Sequence, residues 1–574
     1  MNTTNSKGER KKRIGIKAAI VLLLLLQLAV LFYYGSRKAG FHEDEFYSYY
    51  STNKTAGLFV NDRQWQEQDS YRNDFVVLPG ERFRYGVVAQ MQSWDVHPPL
   101  YYFILHTVCS LFPGVFSKWL GIAVNVIAFI PCFLLLWYLV NTTMRLKKSG
   151  NETIGWDETK QDRKMAVFFS FAVCLFWGFG AAVISGVMFI RMYQWLTLFI
   201  LLCACLHVRA IQRKDFGLRF LAPLGITVYL GFLTQYYYII FHIFMGAGFC
   251  FLLLKNRKIK ELFTYALACA AGLGAAIFSY PASMAHIFRG YRGTEAVSEF
   301  GNAGNTAGRL RFFIGLFDDY VMNRTLSIWL LAICIVWLTV VYRKKRKAVL
   351  LKTEENAVKE GQKIKKTQEK WGREQAVGLL LFTCIGYFFT ISKTALLLGE
   401  TSNRYQLPVY GILIFLLLYF LLTPVIRLAE EGQKKENIFP AAGIIVIAVL
   451  LATDVAALLG NRVFFLYEEE NAVMDYVKEN KDIPVVVFYN EASPDNVWRL
   501  SDELMEFPGI YLAAQGNEEL ITDKIITESD SLLVYVADHD DKEKCLENLL
   551  TGSKKLSGYE IVAEKGLWTL YRLE

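Results

Sequence analysis

The chain has 574 residues, 53% of them hydrophobic and 20% charged, with a mean hydropathy of +0.26. That is too apolar for a soluble enzyme and too charged to lie wholly in lipid, so a polytopic membrane protein with sizeable soluble parts fits. The net charge of +8 is modest; it clusters in certain loops, as the positive-inside pattern does, and gives no support to a nucleic-acid partner.

A basic tail from Lys7 to Lys17 leads into an apolar stretch, Ala18 to Tyr34, with no small-residue cleavage site near its end. It reads as a retained span rather than a removed signal. A helix rises about 1.5 Å per residue, so roughly 20 apolar residues cross the hydrocarbon core. By that measure the sequence predicts about eleven transmembrane helices, near 15–34, 117–140, 165–188, 191–208, 218–234, 236–254, 261–281, 324–342, 374–392, 407–426 and 438–460. With the N-terminus inside, every inside loop is basic. The first three carry Arg145, Lys147, Lys148, Lys160, Arg163 and Lys164, then Arg209, Arg213, Lys214 and Arg219, then Lys255, Arg257, Lys258 and Lys260. The fourth opens with Arg343 to Lys347, and the last has Arg427, Lys434 and Lys435.

Pro98 to Phe116 is also apolar. Counting it as a span would invert every later loop, so it is expected to be a juxtamembrane helix on the outer face, its double proline suiting a helix start. A short true span is the alternative. The membrane part is thus expected to cover 1–460, with outer loops at 35–116 and 282–323. From Asn461 the apolar runs shorten to Pro484–Tyr489, Leu532–Val536, Tyr559–Ala563 and Trp568–Tyr571, separated by helical stretches at Glu468–Asn480 and Lys542–Leu550. This predicts a small α/β soluble domain, 461–574, on the outer side, with a role in recognition or support. Of the ten cysteines only Cys545 lies well outside the apolar segments, so no disulfide framework is expected.

The candidate site residues all fall on the expected outer face. Phe41-His42-Glu43-Asp44-Glu45-Phe46-Tyr47 follows the first span. Carboxylates beside apolar neighbours at a membrane surface are expensive and often mark a reaction or an ion path. Asp44 is the best candidate for a general base, with Glu45 beside it; the plain alternative is three solvated loop acids. In a helix, Asp44 and Ser48 would share one face. Asp95 and His97 flank Val96 just before Pro98-Pro99. They read either as phosphate-binding or metal-binding groups, or as a helix cap with an interfacial histidine. Arg191 with Tyr193, and Arg404 with Tyr405, sit at outer turns and suit a phosphate held bidentately, or else snorkelling within an aromatic belt. Lys393 is a weaker third cation. The loop from Pro281 to Asn323 holds His286, Arg289, Arg292, Glu295 and Glu299, and reads as a lid, an acceptor-binding loop or an ordinary loop. Sequons occur at Asn53 and Asn323. No Walker, dinucleotide or HExxH motif is present.

Together, Asp44-Glu45 after the first span, Asp95-Val96-His97-Pro98-Pro99-Leu100-Tyr101-Tyr102, Arg191-Met192-Tyr193 and Arg404-Tyr405-Gln406-Leu407-Pro408 resemble the GT-C glycosyltransferases. The likeness is to the bacterial branch related to protein O-mannosyltransferases and lipid A aminoarabinose transferases, over roughly residues 10–460. The resemblance implies an integral enzyme of the plasma membrane, N-terminus cytoplasmic and C-terminal domain extracytoplasmic. It would move a hexosyl or pentosyl group from a polyprenyl-phosphate sugar to a hydroxyl acceptor, with inversion. It implies Asp44 as the catalytic aspartate, Asp95 and His97 near the donor phosphate or a metal, and Arg191, Tyr193, Arg404 and Tyr405 as donor contacts. A divalent ion held by Asp44, Asp95 and His97 is one option, with no cofactor the other. The acceptor would be a cell-envelope glycan, lipid or polymer. No central sugar-binding-like domain is recognisable, which disfavours a protein acceptor. Rival readings are a flippase for a lipid-linked glycan, expected to carry inverted repeats and polar groups deep in several spans, where the sequence offers few, Asp454 near the outer end of the last span being the one exception, and a non-catalytic scaffold.

Overall fold

The computed structural model of the protein describes residues 2–53, 61–147, 160–355, 371–431, 438–517, 519–538 and 542–574. The inside-loop residues Lys148, Lys434 and Lys435, and Lys54 and Thr55 of the first sequon, lie outside these. The described residues form a helical bundle carrying a six-stranded sheet drawn mainly from the C-terminal region. Among the described residues eight helices are long and apolar enough to cross a membrane: Ile14–Arg37, Lys118–Arg145, Tyr193–Arg213, Tyr237–Lys255, Ile259–Ser279, Leu326–Arg346, Arg373–Thr394 and Leu407–Ile426. This is a multi-pass membrane protein.

The expected spans all fall on apolar helices, but not all are plain spans. The one predicted at 165–188 is two helices, Asp162–Phe179 and Ala181–Met188, bent by 54°. Gly180 is extended at the break (φ −62°, ψ 131°). A Cβ on it would lie 3.1 Å from the Phe176 carbonyl, so glycine lets the two helix ends approach. Leu218–Thr234 and the apolar part of the last, Gly443–Leu459, are shorter than the eight. Leu100–Leu111 has 12 residues, about 18 Å of helix against a core of roughly 30 Å, so it does not span alone.

Tyr193–Arg213 and Leu407–Ile426 form the centre of the bundle, most of their side chains being buried. Ile14–Arg37, Ile259–Ser279 and Leu326–Arg346 lie outside and expose apolar residues such as Phe32, Leu267 and Leu338, as lipid-facing helices do. Beyond the break, Asn125 donates from its amide to the carbonyls of Val187 (3.1 Å) and Phe189 (2.6 Å), satisfying the end of the short helix. Ile190 packs where a side chain on Gly121 would stand. These contacts fix the turn that carries Arg191.

The sheet runs β1-β3-β2-β4-β6-β5. Its strands are β1 (Gln64–Glu67), β2 (Val485–Tyr489), β3 (Gly509–Ala514), β4 (Leu532–Ala537), β5 (Tyr559–Lys565) and β6 (Trp568–Leu573). The parallel centre, β3-β2-β4, consists of nearly continuous apolar runs buried on both faces. Four strands were anticipated by sequence; β3 and β1 were not. β1 comes from the first long loop and pairs antiparallel with β3, Trp65 opposite Tyr511, so the sheet reaches beyond the 461–574 segment.

Charge also joins the sheet domain to the bundle. Lys565 Nζ lies 2.5 Å from Glu503, 3.0 Å from Glu470 and 3.3 Å from Asp502, all buried. Glu470 also pairs with Arg499, and its carboxylate fills the space a Cβ on Gly40 would need. Arg37, at the end of the first helix, pairs with Glu468. Replacing Lys565 by Met leaves three buried carboxylates without their shared cation, which should lower stability by about 3–5 kcal/mol. Urea unfolding followed by tryptophan fluorescence measures this, and a loss under about 1 kcal/mol would mean the cluster relaxes into water.

Candidate functional site

A cavity of about 530 Å³ opens between the first long loop, the turn at Phe189–Met192, the Gln235–Tyr237 junction, the 282–323 segment and the Gly399–Tyr405 turn. Asp44, Asp95, His97, Arg191, Tyr193, Arg404 and Tyr405 all line it. Residues from distant parts of the chain thus meet in one chamber.

Asp44 lies in the first turn of the Glu43–Asn53 helix, where the helix dipole favours a carboxylate. Its Oδ2 is 3.0 Å from Arg404 Nη1, and its Oδ1 is 3.8 Å from Arg191 Nη2. Arg191 also donates to the Asp44 carbonyl (3.2 Å), Ser48 Oγ (3.3 Å) and Tyr102 Oη (3.2 Å). Asp44 and Ser48 do share one helix face. Arg404 sits in an aromatic box, 5.1 Å from the ring centres of Phe189 and Tyr405 and 5.9 Å from Tyr193. Both arginines are buried. Even so, among the described residues Arg191 Nε and Arg404 Nε and Nη1 have no hydrogen-bond acceptor, the Nη1 contact with Asp44 being an ion pair without hydrogen-bond alignment. Buried N–H groups are rarely left unpaired, so these donors can take an acceptor from water or a ligand.

His97 Nδ1 is 2.7 Å from Asp95 Oδ2, and its Nε2 is 3.1 Å from Arg191 Nη2. A guanidinium only donates, so Nε2 must accept; Nδ1 therefore carries the proton and donates it to Asp95. Asp95, His97, Arg191 and Asp44 form one polar chain across the cavity floor.

Burial would raise the Asp44 carboxyl, but Arg191 and then Arg404 outweigh it and hold the group well below the usual carboxylate range. Burial likewise opposes ionisation of Asp95, and His97 with Arg191 brings it down to about 2. Burial pushes His42 down to about 3, so it is neutral, and its Nδ1 accepts the Asp44 backbone N–H at 3.0 Å.

Four expectations are revised. Glu45 does not reach the cavity: it is fully buried and faces Lys38 and the backbone N–H groups of His42 and Ile190. Asp44, Asp95 and His97 do not form a metal donor set, because the Arg191 guanidinium lies between them and both His97 nitrogens are committed. Among the described residues no group of three His, Cys, Asp or Glu is suited to a metal. Lys393 turns instead to Asn302, Asn305 and Thr306 of the 282–323 segment. That segment is not a plain loop: it is mostly helical and fastened, with His286 2.8 Å from Tyr236 Oη and Arg309 donating to the Ser392 carbonyl at 2.8 Å. Tyr291, Arg292 and Glu295 on it form one cavity wall. Asn53 of the first sequon is buried and donates to the Phe75 carbonyl at 2.8 Å. Sequence reasoning passed over Gln235, Tyr236 and Tyr237, which also line the cavity. A polar and aromatic run at the junction of two apolar segments was the available signal.

No protein-family model and no curated protein sequence matches the chain. Among solved structures it is similar to ArnT from Cupriavidus metallidurans bound to undecaprenyl phosphate. The identity is 12% and the TM-score 0.48, over 97% of this chain and 98% of that one. Apo ArnT from the same organism gives 12% and 0.43, over 96% and 98%. The archaeal oligosaccharyltransferase AglB from Archaeoglobus fulgidus, in complex with an inhibitory peptide and a dolichol-phosphate, gives 10% and 0.42, over 97% of this chain and 74% of that one.

The depressed acidity of Asp44 has a pH signature. Its pairing contributes stability in full above the unfolded carboxylate value of about 3.9, and loses it as pH falls through that value and on through the lower native one. The difference in unfolding free energy between wild type and Asp44→Asn should be flat above about pH 5 and shrink below about pH 4. Denaturant titrations in detergent on both sides of those limits test it; a difference that does not change with pH would mean the arginines leave Asp44 unperturbed.

Proposed function

We propose that the protein is a glycosyltransferase that moves a sugar from a polyprenyl-phosphate donor to a hydroxyl acceptor at the outer membrane face. The observation that carries this reading is the pair of buried arginines with unpartnered N–H groups, converging on Asp44 in a cavity beside the bundle. Two fixed guanidiniums at one point suit a phosphate, and an apolar bundle beside them suits the chain that carries it. The motif resemblance supports the same chemistry.

In this reading the acceptor hydroxyl gives its proton to Asp44 as its oxygen attacks the anomeric carbon. The bond from that carbon to the phosphate oxygen breaks, and the lipid phosphate leaves with the electron pair. Arg191 and Arg404 stabilise the charge that develops on it, and the single displacement inverts the anomeric centre. Without donor the arginines neutralise Asp44, a weak base in that state. A phosphate drawing on the same N–H groups loosens their hold and raises its basicity. Asp95 holds His97 in one tautomer, and His97 steadies Arg191. Tyr193 and Tyr405 wall the Arg404 box. The sheet domain would be extracytoplasmic, the N-terminus cytoplasmic and the acceptor a cell-envelope glycan, lipid or polymer.

A flippase reading draws on one observation, Asp454, buried in the last apolar helix near the Gly180 break, with one carboxylate oxygen that has no partner among the described residues.

The test offers purified protein in nanodiscs a panel of radiolabelled polyprenyl-phosphate sugars with envelope acceptors, reading released lipid phosphate. Wild type should release it in an acceptor-dependent way. Asp44→Asn should lose about 10²–10⁴-fold in kcat while still binding donor. Arg191→Gln and Arg404→Gln should instead weaken donor binding, by about ten-fold or more. Equal turnover by wild type and Asp44→Asn would remove Asp44 from the chemistry. Release from no donor would favour the flippase.

A further inference from the structure

We infer that Glu45, together with Lys38, is a positioning residue that sets Asp44 and Arg191 at their working separation. The inference rests on the site reading above, but its geometry stands apart from the chemistry. Both side chains are 0% exposed, and Lys38 Nζ is 2.9 Å from Glu45 Oε2. A fully buried ion pair is weak as a source of stability, since an apolar pair of similar size serves as well. What distinguishes this pair is the set of chain segments it ties together.

Glu45 Oε2 also accepts the backbone N–H of His42 at 2.6 Å, closing the start of the Glu43–Asn53 helix. Its Oε1 accepts the backbone N–H of Ile190 at 2.8 Å. Lys38 Nζ donates to the Phe465 carbonyl at 2.6 Å, where the chain passes into the sheet domain. One carboxylate therefore joins the end of the first span, the helix that carries Asp44 and the turn that carries Arg191. Through Lys38 it also joins the start of the C-terminal domain.

The sequence neighbours make the link specific. Glu45 follows Asp44, and Ile190 precedes Arg191. The bond between Glu45 and Ile190 thus crosslinks the two backbones one residue away from the pair that meets in the cavity. Ile190 has little freedom otherwise, with its side chain against Gly121 and the preceding Phe189 carbonyl held by Asn125. Phe189 and Phe465 stack at 4.1 Å, so the same turn feels the sheet domain from the other side. Glu45 touches neither cavity nor substrate. It acts through Asp44 and Arg191.

Reach and charge can be separated. Lys38→Met keeps the Glu45 oxygens on Ile190 and His42 and loses the charge facing them. Glu45→Asp keeps both charges but is one methylene too short to serve Ile190 and Lys38 at once. Glu45→Gln keeps the length but has one acceptor oxygen, which Lys38 and the His42 N–H draw away from Ile190. Positioning ranks Lys38→Met above Glu45→Asp in turnover: about ten-fold loss for Lys38→Met and about a hundred-fold for Asp and for Gln, as misplacement by roughly an ångström costs. Melting temperature should rank Lys38→Met below Glu45→Asp, because Met leaves Glu45 buried without a counter-charge. Turnover that follows melting temperature across all three variants overturns the inference and leaves the pair a packing element.

Hydrogen exchange at the Ile190 amide gives a second readout that needs no sugar transfer. Protection in wild type and Lys38→Met, lost in Glu45→Asp and Glu45→Gln, supports the crosslink even if no donor is turned over, in which case the glycosyltransferase reading alone has failed. An Ile190 amide that exchanges freely in wild type, or equally in all variants, overturns the crosslink whatever the enzyme does.

Discussion

One carboxylate between two buried guanidiniums organises this molecule. Burying Arg191 and Arg404 without a counter-charge would be strongly unfavourable, and Asp44 supplies that charge from a third part of the chain. Asp44, with Asp95 beyond His97, balances the charge, yet several guanidinium N–H donors meet no acceptor among the described residues. Such a set is stable enough to fold and is still short of acceptors. That shortage is the physical basis for reading the cavity as a phosphate site.

Much of the surrounding structure serves to hold these three side chains. The break at Gly180 turns the chain out of a straight span and delivers Phe189 to Met192 as a tight turn, satisfied by Asn125. The Pro98-Pro99 corner places His97 over Arg191, and Asp95 fixes which ring nitrogen is free to accept. The 282–323 segment is pinned by His286, Arg309 and Lys393, so the far wall of the cavity is anchored helix. Polar contacts at this end of the bundle are directed towards one small volume. The spans behind it contribute apolar packing.

The sheet domain is part of this arrangement. Its edge strand β1 belongs to the first long loop, its Trp498 packs 4.0 Å from Tyr47 on the Asp44 helix, and Phe465 meets Lys38. A domain placed after the last apolar helix therefore supports residues near the start of the chain. An appended recognition module would have no need to share a strand and a buried ion pair with the membrane part.

The apolar segments, the short apolar helix after Pro98-Pro99, the α/β character of the C-terminal region and seven of the residues that line the cavity were legible in the sequence. Each depends on local properties: apolar run length against membrane thickness, loop charge, and residue types rare at a membrane surface. Asp44 and Glu45 look equivalent by those measures, two adjacent acids in one aromatic frame. Only the folded helix, by turning successive side chains about 100° apart, sends Asp44 into the cavity and Glu45 into the interior. Lys393 and Arg404 likewise look alike as cations at one end of the bundle, yet one binds a wall and the other the site. Strand β1 is four residues whose pairing with Gly509–Ala514 spans more than four hundred positions, and no local pattern encodes that. The sequence by itself determined which residue types lie at the ends of the apolar segments. Tertiary contact decided which of them face one another, because charge pairing and backbone hydrogen bonding act between segments that meet only once the chain has folded.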